Sequence, residues 1–450
     1  MFNKAAKSLF IHATRDRIHV TGDINQDVHL ATGALWRSLP ARPTARALDL
    51  LNIAAGVYAV DRIVKREPGA GNETGIRSLK LCFAVQDLAF WQRLAITEAL
   101  EELLSFLTDE NWSLTFEQAA AASAPQQAPL DLHLTARRIA LYSGGLDSAA
   151  GLANRLMAGV DDYLLVTVDH HTKLRRLCAR QVQELSRITA TTRPLHLNLI
   201  VHLNGGAAKN RLSQQECTQR TRAFLFCAAA AVAAQTCRIE DIEMFENGVG
   251  AINLPVMTGM LIGGLATRGA HPSFLQRMGE LASAVAEHPV RYSLPFAAFT
   301  KAEMLAPLKA HGLETWAQSS QSCVHTSLRH RKATHCGQCP GCIERRQAFA
   351  VAGIAELPDQ YSFDLFTGAK LAPRNADYLH CYLGAAADWL SDDAAIHRRL
   401  DWHVSGTRIP SEQRAAIAEH QYRHAQEVMA TLGAGRLSAD RLDNASYPIQ

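Results

Sequence analysis

Two groups of residues in this 450-residue chain have the types and spacing of a chemical site. The first is Ser143-Gly144-Gly145-Leu146-Asp147-Ser148, entered through Tyr142. A glycine pair lets the backbone turn tightly and bring its N–H groups close to an anion. Residues 138–142 read as a short strand and 149–157 as a helix, so a helix N-terminus would face the point the loop amides face. Ser143 and Ser148 add hydroxyl donors. Asp147 is out of place in a bare phosphate cradle, because a carboxylate repels phosphate. It makes sense with Mg²⁺ between them. The Walker arrangement, which ends in Gly-Lys-Ser/Thr, is absent.

The second group is Cys323, Cys336, Cys339 and Cys342, with Gly337 and Gly341 supplying tight turns. The short hooks 336–339 and 339–342, closed by Cys323 from an earlier loop, suit a tetrahedral S₄ metal site. Zinc is favoured for a closed site without redox chemistry. An iron–sulfur cluster is the competitor, and His325, His330 or His335 could replace one ligand. Arg345 and Arg346 lie close enough in sequence to offset thiolate charge. A closed site would fix a loop and take no part in the reaction.

Other residues carry weaker signals. Asp169, His170 and His171 follow the apolar run 163–168, at the strand end where open α/β sheets bind ligands. One of them could meet adenine, ribose or an acceptor, and a histidine there, His171, could serve as base for an incoming amine. Arg220 and Arg222 could clamp phosphate or carboxylate. Lys301 could stabilise an α-phosphate. Glu246 and Asn247, after an apparent strand over 239–245, could read a purine edge. His420 and His424 read as part of a solvated helix face.

These groups need elements to place them. After residue 136 strand and helix patterns alternate, over 138–142, 149–157, 163–168, 178–188 and 195–203, which indicates a parallel sheet with helices on both faces. Residues 8–11, 17–21, 79–85 and 112–116 read as strands and 44–64 and 90–107 as helices, an α+β N-terminal domain. The Ala-, Gln- and Pro-rich stretch 118–129 reads as a linker. The expected division is 1–117 for a domain with a role in partner recognition, 118–135 for the linker, 136–358 for the loop domain with its metal site, and 359–450 for a mainly helical region.

Composition narrows the setting. A net charge of +3 does not suit a large nucleic-acid surface. The Ala-rich run 223–234 is too short to span a bilayer and reads as a buried helix. The N-terminus lacks the apolar stretch of a secretory signal. Scattered thiols suit a reducing compartment, so a cytoplasmic protein without a membrane partner is expected.

The glycine loop resembles that of the N-type ATP pyrophosphatases, the PP-loop enzymes with an adenine nucleotide α-hydrolase-like fold. The resemblance implies ATP held by residues 142–148 and Asp169, with Mg²⁺, and adenylation of a substrate oxygen with release of pyrophosphate. Ser322-Cys323, Cys336-Gly-Gln-Cys339-Pro-Gly-Cys342-Ile-Glu344-Arg345, the stretch Pro295…Thr300-Lys301-x-Glu303 and Arg220-Thr-Arg222 together resemble the QueC family, 7-cyano-7-deazaguanine synthases. That resemblance covers about 138–353. It implies a 7-carboxy-7-deazaguanine substrate, a Zn²⁺ at the cysteines, Asp147, Lys301 and His171 as catalytic residues, and amide formation with an amine. The family is shorter at both ends, and its Phe-Asp-Tyr-Gly-Gln-Arg-His pattern is replaced here by Thr167-Val-Asp169-His170-His171-Thr-Lys173. The long form, with Glu246-Asn247-Gly248, Asn253-x-Pro255 and His271-Pro272, is similar to QueC-like proteins of bacterial anti-phage operons, the QatC type of the Qat system. This implies a defence role, Asn253 among the substrate-binding residues, and an operon-encoded protein partner or protein amine acceptor in place of ammonia. A homodimer stays open. The rival readings are tRNA base thiolation, which needs a sulfur-carrying cysteine, and a non-catalytic ATP-binding adaptor.

Overall fold

The computed structural model describes residues 7–14, 17–31, 39–66, 76–120, 136–160, 162–169, 172–188, 194–203, 216, 218, 220–254, 267–324, 334–366, 371, 373–392, 394, 397–398, 400 and 409–433. The expected His170 and His171, Pro255, His325 and His330, and most of the linker lie outside the described residues.

Alternation shapes the N-terminal strands. In β1 (Lys7–Thr14) Leu9 and Ile11 are buried, and in β2 (Arg17–Gly22) Ile18 and Val20 are. Strand β3 (Gln26–Ala31) buries Val28 and Leu30. Strands β4 (Ser78–Val85) and β5 (Asn111–Gln118) repeat the pattern with Leu79, Leu81, Phe83 and with Trp112, Leu114, Phe116. A period of two buries one face of a strand. Helix Ala45–Ile63, capped by the Thr44 side chain, packs on β1 and β2, and helix Leu94–Thr108 packs on β5.

The later strands are β6 (Arg138–Leu141), β7 (Tyr163–Asp169), β8 (Leu195–His202), β9 (Asp241–Met244) and β10 (Arg291–Ser293). Every residue of β7 is buried, as expected of a strand covered on both faces. Helix Thr172–Ile188 packs on β7 and β8, and the Ala-rich helix Arg222–Cys237 on β6 and β7. That helix is the buried one its composition suggested, and no helix among the described residues is long and apolar enough to cross a membrane.

The ten strands among the described residues form one mixed sheet with helices on both sides, in the order β10-β9-β6-β7-β8-β3-β2-β1-β4-β5. The run from β10 to β8 is parallel, as the alternation of strands and helices indicated. The β8–β3, β3–β2 and β2–β1 pairs are antiparallel. The N-terminal strands therefore extend the sheet of the glycine loop, through His29↔His202, Leu30↔Val201 and Ala31↔Ile200.

Contacts gather the chain into two compact units. The first, Met1–Ser143, Val160–Met244 and Ile262–Ser293, contains the whole sheet. The second, Gly144–Gly159, Phe245–Leu261 and Leu294–Gln450, is helical. Among the described residues its helices include Leu146–Met157, Gly248–Ile252, Lys301–Ala310, Glu314–Ser319, Pro340–Ala352, Pro373–Ser391 and Ser411–Val428. Its core joins Ile252, Ile343, Leu365, Tyr378, Trp389 and Val428. The C-terminal region is helical as expected, but His420 and His424 do not face solvent. They are 1% and 6% exposed, because helix Ser411–Val428 packs against Gly248–Ile252, Pro340–Ala352 and Pro373–Ser391 together.

Candidate functional site

The loop Ser143–Ser148 leaves β6 and opens into helix Leu146–Met157. Gly144 takes φ +69°, a conformation that favours glycine, and Gly145 is the N-cap with an extended backbone. As a glycine, the N-cap brings no side-chain cap of its own. The Gly144 carbonyl accepts the Gln321 N–H at 3.0 Å, and the Ser148 hydroxyl donates to the Gly145 carbonyl at 3.0 Å. Trp316 donates its indole N–H to the Ala149 carbonyl at 3.0 Å, fixing the first turn from the side.

Asp147 sits in that first turn and meets a cation. Lys301 Nζ is 3.1 Å from Asp147 Oδ2 and 3.6 Å from Glu344 Oε2. Lys301 is the first residue of its helix, placed there by a capping box in which Thr300 and Glu303 satisfy each other's backbone N–H groups. Burial alone would lower the lysine pKa, but Asp147, Glu344 and Glu246 outweigh it and hold the ammonium charged. The lysine thus offsets the carboxylate that looked misplaced beside phosphate.

Asn247 completes this cluster. Its Nδ2 donates to Asp147 Oδ1 at 2.7 Å and to Glu246 Oε1 at 3.2 Å, while its Oδ1 accepts the Gly250 N–H at 2.9 Å and caps helix Gly248–Ile252. Both ends of the amide are engaged by protein groups, which ties the Asp147 carboxylate to the start of helix Gly248–Ile252. Glu246 is pushed up to about 8 by burial first, then by the like charges of Asp147 and Glu344. Asn253 ends the short helix in the left-handed region, φ +49°.

Sequence reasoning assigned no role to Glu344, although it lies in the quoted cysteine segment. Its signal was position: it falls on helix Pro340–Ala352, which packs on the Lys301 helix. Its carboxylate accepts Tyr378 Oη–H at 3.0 Å.

The remaining expected residues belong to the sheet unit. Tyr142 is buried and its hydroxyl donates to Gln181 Oε1 at 2.8 Å, while its carbonyl accepts from Thr167. Asp169 ends β7 and is buried. Arg220 is 2% exposed, donates to the Thr108 carbonyl and stands 4.0 Å from Glu110 in an ion cluster with Asp61, Arg66 and Arg77. Arg222 lies over the Phe226 ring at 5.6 Å, with Tyr58 and Arg62 as charge neighbours. In both arginines the guanidinium is engaged by protein groups.

The four cysteine sulfurs lie within 4.8 Å of one another. Pairs measure 3.4, 3.8 and 3.9 Å. A tetrahedral zinc with Zn–S bonds of about 2.3 Å holds its sulfurs about 3.8 Å apart. The donor set and spacing therefore fit one ion, and a cluster of several irons would hold the thiolates further apart. The Cys336 N–H points to Cys323 Sγ at 3.4 Å and the Cys339 N–H to Cys336 Sγ at 3.3 Å. Gly337, at φ +82°, passes so near the Phe363 carbonyl that a side chain could not fit.

His335 is not part of this group. Its Nε2 accepts the Ser322 N–H at 3.2 Å, and burial followed by Arg345 pushes it down to about 3. The neighbouring arginines brace the loop and do not turn to the sulfurs. Arg345 donates to Ser320, Tyr361 and the Ala317 and Gln318 carbonyls, and Arg346 to Glu356 and Asp364. Outside the cluster, Cys178 is pushed up to about 12 by burial and Cys227 higher still, which makes them poor sulfur carriers.

A family model described as Queuosine biosynthesis protein QueC matches residues 269–353. A 7-cyano-7-deazaguanine synthase of Agrobacterium fabrum is 24% identical over 252 residues, covering 52% of this chain and 97% of the relative. Those of Rhizobium etli and Chromohalobacter salexigens are 24% and 25% identical, covering 52% and 49% of this chain and 95% and 85% of theirs. The chain is QueC-like by these similarities, and the matched segment contains Lys301, Glu344 and all four cysteines.

Proposed function

We propose that this chain uses ATP to adenylate the carboxylate of a 7-deazaguanine-type base and then joins the acyl group to an amine. The carrying observation is the Lys301–Asp147 pair at the first turn of the glycine-loop helix. A phosphate placed over Gly144 and Gly145 would meet the N–H groups of that helix start and the ammonium of Lys301. The carboxylate oxygen attacks the α-phosphate and pyrophosphate leaves. The amine then displaces AMP and loses a proton.

Residues 142–148 and Asp169 hold ATP in this reading. Lys301 offsets charge on the phosphates, and His171 or the weakly acidic Glu246 takes the amine proton. Asp147, through oxygen lone pairs not engaged by Asn247 and Lys301, is the residue that would hold Mg²⁺. When bound it would spread the charge that pyrophosphate carries away. Zinc at the cysteines fixes the loop after Gln321, which itself bonds Gly144.

The relatives' name specifies a nitrile product, which would need the amide to lose water in a further ATP-driven step. We place the activity in the cytoplasm and in bacterial anti-phage defence. The amine is ammonia or a group on an operon-encoded partner protein. The support is the long form, with Glu246-Asn247-Gly248 and His271-Pro272, beside the QueC-like core.

The test is incubation of purified protein with ATP, Mg²⁺ and 7-carboxy-7-deazaguanine, with ammonia or co-expressed neighbouring proteins. AMP and pyrophosphate should accumulate only when the base is present. If neither forms with any acceptor, the reading is wrong.

A further inference from the structure

The helical unit holds a partly open cavity of about 70 Å³ beside the Lys301 cluster. Asn247, Lys301 and Glu344 line one side. Helices Pro373–Ser391 and Ser411–Val428 line the other with Tyr378, Tyr382, Trp389, Gln421 and His424. These last residues lie beyond the segment matched by the family model, which ends at 353.

Residues that line the cavity carry buried polar atoms. Trp389 Nε1 and Gln421 Oε1 are buried and have no hydrogen-bond partner among the described residues, while His424 Nδ1 has only the Glu427 carboxylate at 3.7 Å. Their side chains are deeply covered: Gln421 is 0%, Trp389 4% and His424 6% exposed. Buried polar groups in native proteins are normally paired, because an unmade bond carries the full desolvation cost. The other ends of these side chains are held. His424 Nε2 bonds Tyr382 Oη at 2.8 Å, and Gln421 Nε2 is 3.3 Å from His420 Nε2. Tyr378 and Tyr382 stack at 5.6 Å with 18° between their planes, giving the same wall flat apolar surface.

We infer that this cavity is a binding site for a planar heteroaromatic ring with a lactam edge, its anionic substituent turned toward Lys301. Trp389 Nε1–H needs an acceptor, which a ring carbonyl supplies. Gln421 Oε1 needs a donor, which the adjacent ring N–H supplies. An aliphatic carboxylate would satisfy Lys301 and leave the wall unpaired. The inference rests on the adenylation reading for the identity of the base, and it assigns base recognition to the C-terminal helices. Trp389 and Gln421 are then specificity residues.

The experiment measures binding and turnover separately on the full-length protein. Calorimetry with 7-carboxy-7-deazaguanine, without ATP, reads the cavity; pyrophosphate release reads the reaction. Trp389→Phe and Gln421→Met should each weaken base binding by about tenfold, as loss of one buried hydrogen bond of about 1.4 kcal/mol does. The KM for ATP should stay unchanged. Should either variant fold poorly, the wild-type protein answers the same question with the 7-carboxy-7-deazaadenine analogue, whose edge lacks the lactam and should bind at least tenfold more weakly. Base binding within twofold of wild type in both variants, equal binding of the two bases, or no binding of either base overturns the cavity assignment. Absent pyrophosphate release with intact base binding overturns adenylation alone.

Discussion

Thr300 Oγ1 donates to Glu427 Oε1 at 2.6 Å, and Glu427 Oε2 accepts from Gln347 Nε2 at 3.2 Å. The residue that caps the Lys301 helix is therefore tied to the last long helix. Thr300→Val removes both the cap and this link. We expect a loss of about 1–2 kcal/mol in urea unfolding and a slower release of pyrophosphate. Unchanged stability would show that the cap does not hold the helix start.

Asp147 and Lys301 should fail together. Asp147→Asn and Lys301→Met are each expected to slow pyrophosphate release by roughly 100-fold or more, the scale for losing one preorganised charge. Their effects should not add in the double variant, because they act through one pair. Additive rate losses in a double-mutant cycle would separate the two roles.

Glu246 predicts a pH dependence. Its carboxyl rises from the ordinary 4.5 to about 8 in the folded chain. Across that window the native state keeps a proton that the unfolded chain has released. Stability is thus full below the lower value, falls as pH rises, and levels off above about 8. Glu246→Gln should flatten this decline in thermal melts from about pH 5 to about pH 8. Parallel curves for the two proteins would contradict the assignment.

Metal content tests the cysteine site. Purified protein should carry zinc at about one ion per chain by elemental analysis, without the visible absorption of an iron–sulfur cluster. Cys336→Ser should lose most of it and lower the melting temperature, since binding energy at such sites is folding energy. Full zinc occupancy in that variant would move the site elsewhere.

Arg220 distinguishes clamp from brace. If its guanidinium holds Glu110 and the Thr108 carbonyl, Arg220→Met strands buried acceptors and costs about 3–5 kcal/mol. A variant of wild-type stability with a raised KM would instead restore the clamp that its sequence position suggested.

The fold was largely legible because its signals are local. The glycine loop, the all-apolar β7, the Ala-rich helix and the cysteine hooks each announce themselves within a short window. Strand β3 was not legible, since QDVHLA offers only Val28 and Leu30 to an alternation test. Its identity comes from pairing with β8, more than a hundred residues away. His420 and His424 misled for a related reason. Histidine suits a wet face as well as a packed one, and only the helices around them decide. Glu344 and Gln421 gain meaning from Lys301 and Trp389, which no nearby spacing connects.

The β3–β8 pairing bears on how the protein can be cut. The compositional linker around 118–135 invites an expression fragment that starts just after it. Such a fragment would strip β8 of its antiparallel neighbour and bare a row of backbone donors and acceptors along an apolar strand. Exposed edges of this kind recruit other chains. The fragment should aggregate, and the first residues of the protein serve the loop half as a guard on its sheet.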